Sequence, residues 1–123
     1  MSGGAGSAIP ATFETVKAVL LDKSTAYSCF GAGCHEQIPY FTLRGTSDQQ
    51  LYTLLTTYTT RGCGPAIDKT NPAESGLIKF LRGPCGGIDR MPLGKCWEDG
   101  DEGCVPPAYI DAIERWIAAG ATR

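Results

Sequence analysis

Two cysteines with four residues between them, and a histidine directly after the second, place the tightest constraint on this chain: Cys29-Phe30-Gly31-Ala32-Gly33-Cys34-His35. Cysteine thiols add across the two vinyl groups of a porphyrin, and an imidazole beside the second thiol is then delivered to the iron. The usual spacing for this attachment is C-x-x-C-H. A longer spacer must bulge so that both sulfurs still reach their vinyls, and Gly31 and Gly33 supply the permissive dihedrals that a bulge needs. His35 is the only histidine, so no other imidazole competes for the iron. The chain has 123 residues, the size of one domain, and it can bury a modest core around such a group.

Zinc is the obvious rival for a cysteine–histidine cluster. Structural zinc takes paired ligands with short spacers at both ends of a tetrahedral site. Adjacent Cys34 and His35 converge poorly on one ion, and the other cysteines form no second C-x-x-C knuckle. Six cysteines in so short a chain point to an oxidising compartment. If two carry haem, the four that remain can form two disulfides, which suits a periplasmic or exported protein. A haem-free, disulfide-braced interaction module would also use cysteines in this number.

The start Met1-Ser2-Gly3-Gly4-Ala5-Gly6-Ser7 has neither a charged region nor an apolar stretch of signal-peptide type. The expectation is a chain that follows a removed signal, or a domain taken from a longer polypeptide. Residues 1–11 read as a flexible tail or linker, suited to a lipid or domain tether, and 12–123 as the folded domain. No apolar run approaches membrane-spanning length. The formal charge of −2, with no basic run or basic-aromatic stripe, argues against nucleic-acid binding.

Helical patterns dominate the chain. Thr12 can cap a helix carrying Phe13, Val16, Val19 and Leu20 at helical spacing, fading near 22–24. The segment 38–43, Ile-Pro-Tyr-Phe-Thr-Leu, is short and apolar and well placed to wall a cofactor pocket. Ser47 and Gln50 form a capping-box pattern, and Leu51, Leu54, Leu55 and Tyr58 then predict a helix over about 48–60. Asn71-Pro72-Ala73-Glu74 repeats the device, predicting a helix that buries Leu77, Ile78 and Leu81 and stops at Gly83-Pro84. A last helix follows Pro106-Pro107, carries Tyr109, Ile110, Ile113, Trp116 and Ile117, and ends at Gly120. With four helices and no alternating strand, the predicted fold class is all-α.

A haem iron held by one histidine needs a sixth ligand to be a low-spin electron carrier. Beyond Met1 the chain has one methionine, Met91, in Asp89-Arg90-Met91-Pro92-Leu93-Gly94, a loop between helices. Thioether ligation favours Fe(II) and raises the reduction potential. The order of parts resembles a small bacterial class I c-type cytochrome, of the single-haem planctomycete and myxobacterial type. Its parts are an N-terminal helix, the cysteine–histidine motif, an Asn-Pro-Ala-Glu-Ser helix, a Met-Pro loop and a closing Ile-Glu-Arg-Trp-Ile-Ala-Ala-Gly-Ala helix. The resemblance covers about residues 12–121 and departs from the family in its four-residue spacer. It implies a cytochrome c-like fold around one covalent haem c. It further implies thioethers at Cys29 and Cys34, axial ligation of the iron by His35 and Met91, and a crossing of the first and last helices near Phe13 and Trp116.

Cys63, Cys85, Cys96 and Cys104 allow three pairings, of which Cys63–Cys85 with Cys96–Cys104 is favoured. The first bridge would tie the loop after the long helix to the approach to Met91, and the second would close the insertion beyond it. Each is worth about 2.5–3.5 kcal/mol on the chain-entropy model, and together they would brace the methionine loop. The stretch 97–103, Trp-Glu-Asp-Gly-Asp-Glu-Gly, concentrates four acids. It lacks the EF-hand calcium pattern and reads as a solvated loop tip, one able to steer a basic redox partner. Arg44, Arg61, Arg82 and Arg90 are each available to haem propionates.

The sequence therefore predicts a periplasmic one-electron carrier rather than an enzyme. Its partner would be a redox protein or a fused or associated oxidoreductase, with the isolated domain monomeric. The alternative is a haem peroxidase or gas sensor, which would require Met91 to leave the iron readily.

Overall fold

The computed structural model describes residues 9–22, 24–28, 47–92 and 94–123. Among them the chain is all-α: α1 (Phe13–Leu21), α2 (Asp48–Thr57), α3 (Gly76–Arg82) and α4 (Pro107–Ala118), with a 3-10 turn at Pro72–Glu74 before α3. The expected segment 38–43 and the cysteine–histidine motif lie outside the described residues.

α1 begins where a cap is available. The Thr12 side chain accepts a hydrogen bond from the Thr15 N–H, and Phe13, Val16, Val19 and Leu20 form the buried stripe. α4 is the longest helix, with Pro107 at its first position, where the missing N–H costs nothing. It buries Ile110, Ala112, Ile113, Trp116 and Ile117. The two helices pack on each other, and the rings of Phe13 and Trp116 lie 6.2 Å apart. The nearness of Phe13 to Trp116 is as expected from the sequence.

The capping box of α2 forms in full. Ser47 Oγ accepts from the Gln50 N–H, and Gln50 Oε1 accepts from the Ser47 N–H. Leu51 and Leu55 are fully buried. The helix stops at Thr57, three residues short of the prediction. Beyond it the threonines favour extended backbone, and Thr59 pairs antiparallel with Pro65. The Ala66 N–H donates to the Tyr58 carbonyl and the Thr60 N–H to that of Gly64. Tyr52 does work that the sequence pattern assigned to its neighbours. Its ring meets Phe13 edge-on at 5.7 Å, and its hydroxyl donates to the Ala121 carbonyl at 2.8 Å.

The Asn71–Glu74 capping box does not form, and this corrects the predicted start of the third helix. The Asn71 side chain makes no cap bond. Asp68 takes the place expected of the Glu74 side chain, its Oδ1 accepting from the N–H groups of both Thr70 and Asn71. Glu74 pairs instead with Lys79 at 2.9 Å. Ser75 then runs extended, fully buried, with its Oγ accepting from the Asp68 N–H. The regular helix starts at Gly76, where a Cβ would stand 2.7 Å from the Thr60 methyl. Ile78 and Leu81 are buried as expected.

Disulfides join Cys63 to Cys85 and Cys96 to Cys104, spanning 22 and 8 residues. The first brings Gly62 and Gly86 together backbone to backbone. Gly86 has φ +61°, and a Cβ there would lie 2.7 Å from the Gly62 carbonyl oxygen, whereas Gly87, at φ +81°, faces open space. Both pay the left-handed penalty on gaining a side chain, so their difference isolates the close approach. Gly86→Ala is expected to cost about 1–3 kcal/mol more than Gly87→Ala in urea unfolding. Equal costs would show that the two loops are free to part.

Candidate functional site

Of the four residues expected to hold haem, Cys29, Cys34 and His35 lie outside the described residues, and Met91 lies within them. Met91 is half-buried and packs against the main apolar cluster. Its position follows from the end of α3. The last carbonyls of a helix have no partner within it, and the Met91 N–H donates to one of them, that of Phe80, at 2.8 Å. The chain reaches that point through a tight turn in which Cys85 and Ile88 exchange two 2.9 Å backbone bonds. On the far side, the N–H groups of Lys95 and Cys96 both donate to the Pro92 carbonyl at 3.1 Å. Met91 thus stands between two segments, each stapled by a disulfide.

The second staple closes the acidic loop. Within it Asp101 is structural, since one carboxylate oxygen accepts from the Trp97 N–H at 3.0 Å and the Glu98 N–H at 3.1 Å. These bonds, the Glu98 one foremost, hold the Asp101 carboxyl below its usual range. A depressed folded value means that the contribution to stability is present above the ordinary Asp pKa and is lost as pH falls through the depressed value. The amide proton resonances of Trp97 and Glu98 are therefore expected to titrate together, with a midpoint below that of an ordinary Asp. A midpoint at or above the ordinary value would remove Asp101 from this role.

Among the described residues no group of three His, Cys, Asp or Glu side chains is arranged to hold a metal ion. The other acids of the loop go separate ways. Asp99 pairs with Arg90 at 2.8 Å, and Trp97, beside Cys96 at the start of the loop, stands 65 % exposed. Arg82 is engaged by Asp111 and Glu114 at 3.1 and 2.6 Å. Arg82 and Arg90 are thus already bound within the chain, and Arg44 lies outside the described residues. A groove of about 400 Å³ runs beside the 3-10 turn, lined by Thr70, Pro72, Glu74, Glu114 and Arg115 among others. Neither Met91 nor a disulfide lines it.

No described helix is long and apolar enough to cross a membrane. Comparison of the chain with protein-family models, with curated proteins and with solved structures gave no match.

Proposed function

We propose that this chain is a one-electron carrier with one covalent haem c, anchored by Cys29 and Cys34 and ligated axially by His35 and Met91. The observation that carries the reading is the setting of Met91. A thioether serves as a sixth ligand when it is presented from a fixed backbone at the margin of an apolar interior. Met91 meets both conditions: it packs against the core cluster, and its N–H is fixed to the Phe80 carbonyl. When bound, the haem iron supplies the Fe(III)/Fe(II) couple.

The chain's own residues supply the rest. Met91 stabilises the reduced state as a soft ligand. A loop held by two disulfides keeps its place in both oxidation states, which limits the rearrangement that accompanies each electron. The packed contact of α1 with α4 excludes water from the interior on which Met91 rests. The disulfides also support a periplasmic or exported location, where such bonds persist. A redox protein, separate or fused, would be the partner.

The test is production with cytochrome maturation machinery, followed by denaturing mass spectrometry and optical spectroscopy. A mass gain of one haem that survives denaturation, with a low-spin Fe–Met spectrum when oxidised, is the expected result. A colourless protein would sink the reading in favour of a disulfide-braced interaction module. A high-spin spectrum would favour an open iron site suited to peroxide or gas chemistry.

A further inference from the structure

Arg90 is a charged side chain that the proposed function does not yet use, and it is held almost out of solvent, at 11 % exposure. Its Nε donates to the Leu81 carbonyl at 3.2 Å, and a terminal nitrogen donates to Asp99 Oδ1 at 2.8 Å. Leu81 and Phe80 are neighbours in the last turn of α3, and both present carbonyls that lack partners inside the helix. Arg90 fills one through its side chain, and Met91 fills the other through its backbone. Two consecutive residues of the loop therefore dock on two consecutive carbonyls of one helix end. The helix dipole adds to the fit, since a cation is favoured at a C-terminus.

The two partners of the guanidinium are unequal. Asp99 is 93 % exposed, so water screens that ion pair and it contributes little alone. The bond to Leu81 lies inside, and it fixes the direction from which the loop arrives. Arginine suits this position because its planar fork aims separate donors at a carbonyl and a carboxylate, whereas lysine offers a point charge.

We infer that Arg90 is a positioning residue for Met91, clamping the ligand-bearing loop to the C-terminal end of α3. The inference rests on Met91 as iron ligand and goes beyond it by naming what sets the place of the thioether. Loss of the clamp leaves the Phe80 bond to hold Met91 to the end of α3, and the sulfur then competes less well for the iron.

The experiment uses the haem-loaded protein and measures the imidazole concentration that half-displaces the Fe–Met signature, with thermal melting in parallel. Arg90→Gln is expected to lower that concentration roughly tenfold, the effect of losing one charged hydrogen bond. Arg90→Lys keeps the charge at the helix end and should lower it by about twofold to threefold. Asp99→Asn should change it least, by about twofold or less, as suits an exposed pair. Should the glutamine variant fail to accumulate, the lysine variant decides on the same scale. An unchanged half-displacement concentration in the arginine variants, with the Fe–Met signature lost in Met91→Ala, overturns the inference and leaves the proposed function standing. Retention of the signature in Met91→Ala overturns both.

Discussion

Met91→Ala in the haem-loaded protein is expected to abolish the low-spin Fe–S signature and lower the reduction potential. Axial ligands move haem potentials across about 0.8 V, and removal of a thioether that favours Fe(II) should shift this one down by on the order of 100 mV or more. The fold should survive the change. Met91 is half-buried at the margin of the core, so its truncation should cost at the low end of the range for Met→Ala, roughly 2 kcal/mol. A large electronic effect with a small effect on melting is the expected pairing. If the potential stayed put while melting fell, Met91 would be a packing residue and no ligand.

Trp116→Ala should produce the opposite pattern, with a large loss of stability. Trp116 is 2 % exposed, lies against Phe13, and donates its indole N–H to the Thr122 carbonyl at 2.7 Å. Truncation of such a residue costs about 3–5 kcal/mol, a large share of the roughly 5–15 kcal/mol that holds a domain folded. Trp116→Phe keeps most of the packing and loses the hydrogen bond, and should cost about 1–2 kcal/mol. Urea unfolding of the disulfide-intact protein separates the two. An alanine variant within about 1 kcal/mol of the parent would mean that the contact of α1 with α4 is not the centre of the core.

The sequence carried the helices unevenly, for physical reasons. α1 and α4 were legible almost to the residue, because an apolar stripe and a start signal agree: Thr12 caps one, and Pro107 opens the other. The capping box at Ser47 was legible because its two side chains need only each other's backbone. Its counterpart, Asn71 with Glu74, has the same spacing and fails, because Asp68, three residues earlier, accepts from the Asn71 N–H that the Glu74 side chain would have bound. Local patterns do not report such competition. The close approach at Gly76 and the buried Ser75 hydroxyl depend on chain brought in from Thr60 and Asp68. The sequence leaves three cysteine pairings open, and the structure makes the favoured one, Cys63–Cys85 with Cys96–Cys104. Met91 was singled out as the only internal methionine. The roles of Arg90 and Tyr52 were not visible, since each depends on a distant carbonyl, those of Leu81 and Ala121.

The contact between Phe13 and Trp116 also sets an order in time. A chain made from its N-terminus presents Phe13, Val16, Val19 and Leu20 long before α4 exists to cover them. At synthesis rates of about 5–20 residues per second, the hundred or so residues between them leave that apolar stripe without its α4 partner for roughly 5–20 seconds. The disulfides close spans of 22 and 8 residues, and neither needs α4. Bracing of the methionine loop can therefore precede burial of the core. In the newly made chain the apolar stripe of α1 is open to aggregation until α4 arrives to complete its cover.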